Sequence, residues 1–140
     1  MIMSQRAIRY ILFIALLQLF HSPAPAQVKV ITIDRINNQK TLDDVLESYE
    51  EMLTENDDED ELTNALSDIL KIKLNYPAGN YEAIYDAAKD IKVKAKNPDL
   101  AFKAAMLLRL LRADVSAELI TRLNAMDLAE VWDTIAAEVY

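Results

Sequence analysis

Hydrophobic positions follow three successive patterns along this chain. Tyr10 to Phe20 (YILFIALLQLF) is an almost unbroken apolar run of 11 residues, preceded by Arg6 and Arg9 and followed by His21-Ser-Pro-Ala-Pro-Ala26. A positive start, a short apolar stretch and a small-x-small exit form the pattern of a secretory signal peptide, expected over residues 1–26. As a helix the run would rise only about 17 Å, against a hydrocarbon core of roughly 30 Å, so a cleaved signal is expected rather than a membrane span. Ser22-Pro-Ala24 and Ala24-Pro-Ala26 both fit the exit, but the first would place Pro25 immediately after the cut. Cleavage is therefore expected between Ala26 and Gln27.

Gln27 to Asp34 (QVKVITID) alternates with β-branched residues, as a short strand does, yet no second strand candidate follows it. Residues 27–40 are read as an extended N-terminal arm that lies on the helices, stays mobile or pairs with a partner's sheet edge.

From Thr41 the period becomes helical and stays so. Leu42, Val45, Leu46, Tyr49, Met52 and Leu53 predict an amphipathic helix capped by Thr41. Leu62, Ala65, Leu66, Ile69 and Ile72 continue as a second, opened by Asp58 and Glu61 at capping-box spacing and ended before Pro77. Asn75-Tyr-Pro-Ala-Gly-Asn80 is a turn, after which Asn80 caps a third helix carrying Tyr81, Ile84, Tyr85, Ala88, Ile91 and Ala95.

Asn97-Pro98-Asp99 supplies a cap, an N1 proline and a first-turn acid for a fourth helix, the strongest boundary in the chain. That helix, Pro98 to Leu111, is apolar nearly all round and is predicted to be the buried centre. Asp114 or Ser116 opens a fifth helix with Leu119, Ile120 and Leu123. Asp127 and Glu130 frame a sixth with Leu128, Val131, Trp132, Ile135 and Val139.

Residues 41–140 are thus expected to be one all-α domain of about six helices in antiparallel αα-hairpins, either a compact bundle or a short helix-pair solenoid. The hairpins start near residues 42, 81 and 116, close to the period of helical repeats.

Composition then narrows the chemistry. Loss of Arg6 and Arg9 with the signal takes 15 basic side chains to 13 against 23 acids, and the net charge from −8 to −10. An acidic domain does not suit nucleic acid or anionic lipid surfaces. The chain has no cysteine, and its one histidine, His21, leaves with the signal. Ser-His-Asp triads, thiolate nucleophiles and imidazole or thiolate metal sites are excluded in the processed domain. Gly79, the one glycine, cannot make a phosphate-cradling loop. No cofactor is expected.

Two charge runs stand out. Residues 41–68 hold twelve acids and no base, concentrated at Asp57, Asp58, Glu59, Asp60 and Glu61, whose spacing is not that of a calcium loop. Residues 71–96 hold six lysines against Glu82, Asp86 and Asp90. Asp57, Asp58, Glu59 and Asp60 with Lys89, Lys92 and Lys96 are the candidate interaction surface, meeting within one molecule or head to tail between two. The acid pairs Glu47 with Glu51 and Glu130 with Asp133 lie on polar faces with nothing to raise a pKa.

Together these features predict an exported, non-catalytic module that binds a protein partner in the cell envelope or outside the cell. A carrier for an apolar or lipid ligand in the bundle interior is the alternative, and a carboxylate hydrolase of envelope glycans a third.

Overall fold

The computed structural model describes residues 36–140. The expected signal peptide, the Ala26–Gln27 bond and the arm as far as residue 35 lie outside the described residues. The described chain is all-α, with helices α1 (Gln39–Glu55), α2 (Glu59–Asn75), α3 (Glu82–Lys94), α4 (Pro98–Arg112), α5 (Ala117–Asn124) and α6 (Leu128–Glu138). Among the described residues there is no strand.

The apolar stripes of α1 and α2 read from the sequence lie in the core, whereas Tyr85, Ala95, Leu119, Ile120 and Leu128 of the later stripes are half-buried. Leu42, Val45, Leu46, Tyr49, Met52 and Leu53 of α1 are all buried, as are Leu62, Ala65, Leu66, Ile69 and Ile72 of α2. α1 packs on α2 and α3, and α4 packs on α2 and α3, so four helices close a ring around this core. The third pair joins from outside, α5 against α2 and α6 against α4.

Helix starts follow local chemistry, with two corrections. The cap of α1 is Asn38, whose Oδ1 accepts the Thr41 N–H at 2.9 Å, and Thr41 sits inside the first turn. Either side chain has an oxygen able to cap; the earlier start is accompanied by a buried Ile36 whose carbonyl accepts the Tyr76 hydroxyl at 2.8 Å. The residue before α3 is Tyr81, which makes no side-chain cap, although Asn80 Oδ1 accepts the Glu82 N–H at 3.2 Å. Tyr81 is instead buried, its hydroxyl donating to the Tyr76 carbonyl at 2.6 Å.

Elsewhere the expected caps are in place. Asp58 accepts from Asp60 N and Glu61 N, Asn97 from Asp99 N, Ser116 from Leu119 N, and Asp127 from Glu130 N. The reciprocal half of the capping box at α2 is altered. Glu61 accepts from Asn56 Nδ2 at 3.0 Å, and the Asp58 N–H goes to Asn56 Oδ1 at 2.8 Å, so one asparagine amide bridges both ends of the motif.

α4 is central, with Leu100, Ala104, Leu107 and Leu110 essentially inaccessible. Its composition predicts cover on every side, and the structure departs from that. Phe102 is 37% exposed, and Ala101, Ala105, Leu108 and Leu111 are half-buried, because α2, α3 and α6 leave one flank of the cylinder open.

Candidate interaction face

The acidic residues singled out in the sequence divide between local structural duties and the surface. Asp58 caps α2, while Asp57 and Asp60 are exposed. Glu59 reaches across the fold: its Oε2 accepts the backbone N–H of Lys96 at 2.9 Å and its Oε1 that of Asn97 at 2.8 Å. One carboxylate thereby ties the start of α2 to the start of α4. The acidic run and the lysine run meet here, through the Lys96 backbone rather than its ammonium. Among the described residues no ion pair joins Asp58, Glu59 or Asp60 to Lys89, Lys92 or Lys96.

A second tie lies deeper, where Tyr49 donates to Asp68 Oδ2 at 2.9 Å between α1 and α2. Burial, with the Asp68 charge and hydrogen bond added, pushes the Tyr49 phenol well above its ordinary value. Burial does the same to Tyr81. Tyr49, Tyr81 and Trp132 belong to the core, Tyr76 and Tyr85 are half-buried, and Tyr140 is exposed.

The lysines lie on a defined stripe. Tyr85, Lys89 and Lys92 follow one another at i, i+4 and i+7 along α3, whereas Lys96 lies past the helix, after the extended Ala95 and immediately before the Asn97 cap of α4. Arg112, Leu108 and Ala105 step back along α4 by the same intervals, and Ala101 lies one turn further. Arg112 fixes how the two stripes meet: its guanidinium lies 3.9 Å from the centre of the Tyr85 ring and 2.8 Å from Glu82 Oε1. With the end of α4 held to the start of α3, the helices run antiparallel. Equal steps from that contact put Lys89 level with Leu108 and Lys92 level with Ala105, while Lys96, one residue before the α4 cap, lies at the same end of the hairpin as Ala101.

The result is a narrow strip on the outer side of the α3–α4 hairpin. Its floor is the half-buried Ala101, Ala105 and Leu108, and its rail is the exposed Lys89, Lys92 and Lys96. Phe102 flanks the floor, and Val93 stands 80% exposed on the outward side of α3.

The chain matches no protein-family model, no curated protein and no solved structure.

The remaining candidate chemistry is dispersed. Glu47, Glu51, Glu130 and Asp133 are exposed, and no carboxylate among the described residues is buried. No three acidic side chains among the described residues are grouped to hold a metal ion. A cavity of about 110 Å³ lies where the ends of α2 and α4 meet α5, lined by Lys73, Leu74, Leu110, Asp114, Val115 and Ile120 among others. The Lys73 ammonium donates to the Pro77 carbonyl at 2.7 Å and lies 4.8 Å from the Tyr81 ring centre, and burial lowers its pKa.

The lysine rail was legible in the sequence as charge. Its apolar floor was not, because the hydrophobicity of α4 pointed to complete burial. The signal available was the run of alanines, since small residues leave a helix flank shallow even where neighbours cover it in part.

Proposed function

We propose that this chain is an exported, non-catalytic protein-interaction module whose working surface is the α3–α4 strip. One observation carries the reading: three exposed lysines, two on α3 and one just before α4, share a hairpin with a half-open apolar flank of α4, in a domain whose composition is strongly acidic. Apolar contact area with a charged rim is what specific protein surfaces use for cohesion and orientation respectively. Export is supported by the tripartite pattern of residues 1–26, and a non-catalytic role by the absence of histidine and cysteine after residue 26 and by carboxylates that lie exposed or half-exposed.

The carrier alternative has less support. The cavity of about 110 Å³ beside Lys73 is small against the several hundred Å³ of pockets that enclose larger ligands.

Affinity capture from the native compartment tests the proposal. Wild-type protein is compared with the triple variant Lys89→Glu, Lys92→Glu, Lys96→Glu and with Glu47→Gln, Glu51→Gln, all checked for helical content. A discrete partner retained by wild type and the acid-face variant, and lost by the lysine variant, is the expected outcome. Identical captured sets for all three would overturn the reading.

A further inference from the structure

Resting on that reading, we propose that the occupant of the α3–α4 strip is an acidic amphipathic helix of a partner protein. The floor runs from Ala101 to Leu108, seven residues and about 10 Å along α4; the rail is Lys89 and Lys92 on α3, continued by Lys96 just before α4. Two turns of helix span this distance. Such a helix presents apolar side chains at i, i+4 and i+7 to the floor and carboxylates at the same repeat to the rail.

Two features of the strip select this occupant. The first is the small floor: Ala101 and Ala105 carry only methyl groups, so a docked helix approaches near the short end of the 8–10 Å range of interaxial distances. The second is the state of the charges. Arg112 is engaged by Glu82, Lys94 by Asp90 and Lys103 by Asp99, each within 3.0 Å, whereas no ion pair among the described residues involves Lys89, Lys92 or Lys96. These ammoniums are open to a partner's carboxylates.

Other occupants fit less well. A polyanion such as nucleic acid would match the rail but leave the apolar floor unused, and it meets a domain with a large negative net charge. A second copy offers acids on α1, but the apolar face of α1 is already buried in its own core.

The probe is a synthetic helical peptide with Leu at i, i+4, i+7 and i+11 and Glu at the flanking positions. Its control carries Lys in place of Glu. Fluorescence anisotropy against the full chain is expected to show the Glu peptide binding at least about tenfold more tightly than the Lys peptide. The preference should shrink as salt rises and fall by a similar factor in the triple Lys→Glu variant.

Equal binding of both peptides, binding of neither, or no effect of the triple variant would overturn the proposal. So would tighter binding to vesicles of anionic phospholipid than to the Glu peptide. A partner captured through the lysines in the native-compartment experiment, alongside failure of the Glu peptide, would overturn the acidic-helix occupant alone.

Discussion

Removing the Glu59 carboxylate tests how far one long-range contact secures the end of the fold on which Lys96 sits. Glu59 accepts two backbone N–H groups, from Lys96 at 2.9 Å and Asn97 at 2.8 Å, and so joins the start of α2 to the start of α4. Hydrogen bonds to a charged acceptor reach about 1.5–3 kcal/mol when shielded, but Lys96 and Asn97 are exposed and water can replace the carboxylate. About 0.5–1 kcal/mol per bond is a reasonable discount. Loss of an acid from the first turn of α2 adds a few tenths.

Glu59→Ala is therefore expected to cost about 1–2 kcal/mol. In a domain of about a hundred residues this lowers Tm by about 5–10 °C. Glu59→Gln keeps one acceptor and should lose about half as much, and Glu55→Ala, at the exposed end of α1, should change little. Calorimetry or circular dichroism reads the shift, and amide exchange at Lys96 and Asn97 should accelerate in Glu59→Ala. A Tm within about 1 °C of wild type, with unchanged exchange at those two amides, would refute the tie.

Three further outcomes are expected, two from the geometry and one from the sequence. Gly79→Ala places a methyl 2.9 Å from both Leu42 Cδ2 and Tyr81 Cε2. Because the Tyr81 hydroxyl is held by the Tyr76 carbonyl, the ring cannot step aside, and a loss of about 1–3 kcal/mol in urea titration is expected; an unchanged midpoint would contradict this.

Tyr49 and Tyr81 keep their protons in the fold beyond the ordinary tyrosine pKa. Their contribution is therefore complete below about pH 10 and lost above it, at up to about 1.4 kcal/mol per pH unit for each ring. Lys73, with its pKa lowered, acts with the opposite sign, but only up to its own ordinary value near 10.4, so stability measured from pH 8 to 11.5 should fall at the alkaline end. A flat profile above pH 10.5, or an unaltered slope in Tyr49→Phe, would contradict it. Intact mass of natively exported protein should begin at Gln27, and retention of residues 1–26 would remove the export reading.

What the sequence made legible, and what it hid, divides by range. Asn97-Pro98-Asp99, Ser116 and Asp127 could be read directly, because a cap is decided within four residues by one side-chain oxygen and one orphan N–H. The core stripes of α1 and α2 were equally plain, since periodicity states which face is buried before anything is known of what buries it. The start of α1 was less so. Asn38 and Thr41 are both competent caps, and Asn38 takes the role where Ile36 is buried and its carbonyl meets Tyr76, forty residues away.

Glu59 carries no local sign of its task, as its partners lie 37 and 38 residues on and offer only backbone. The strip was half visible for a similar reason. Lys89, Lys92 and Lys96 announce a basic rail, but that Ala101, Ala105 and Leu108 stay partly open depends on where α2, α3 and α6 stop covering α4.

The most direct test of the account is site-specific photo-crosslinking in the native compartment. A photoreactive residue placed at Phe102, beside the floor of the strip, should give a discrete adduct with a partner protein, and the same residue at Glu47 on α1 should give none. Equal labelling from both positions, or no adduct from Phe102 while the protein remains folded, would contradict the assignment of the α3–α4 strip as the working surface.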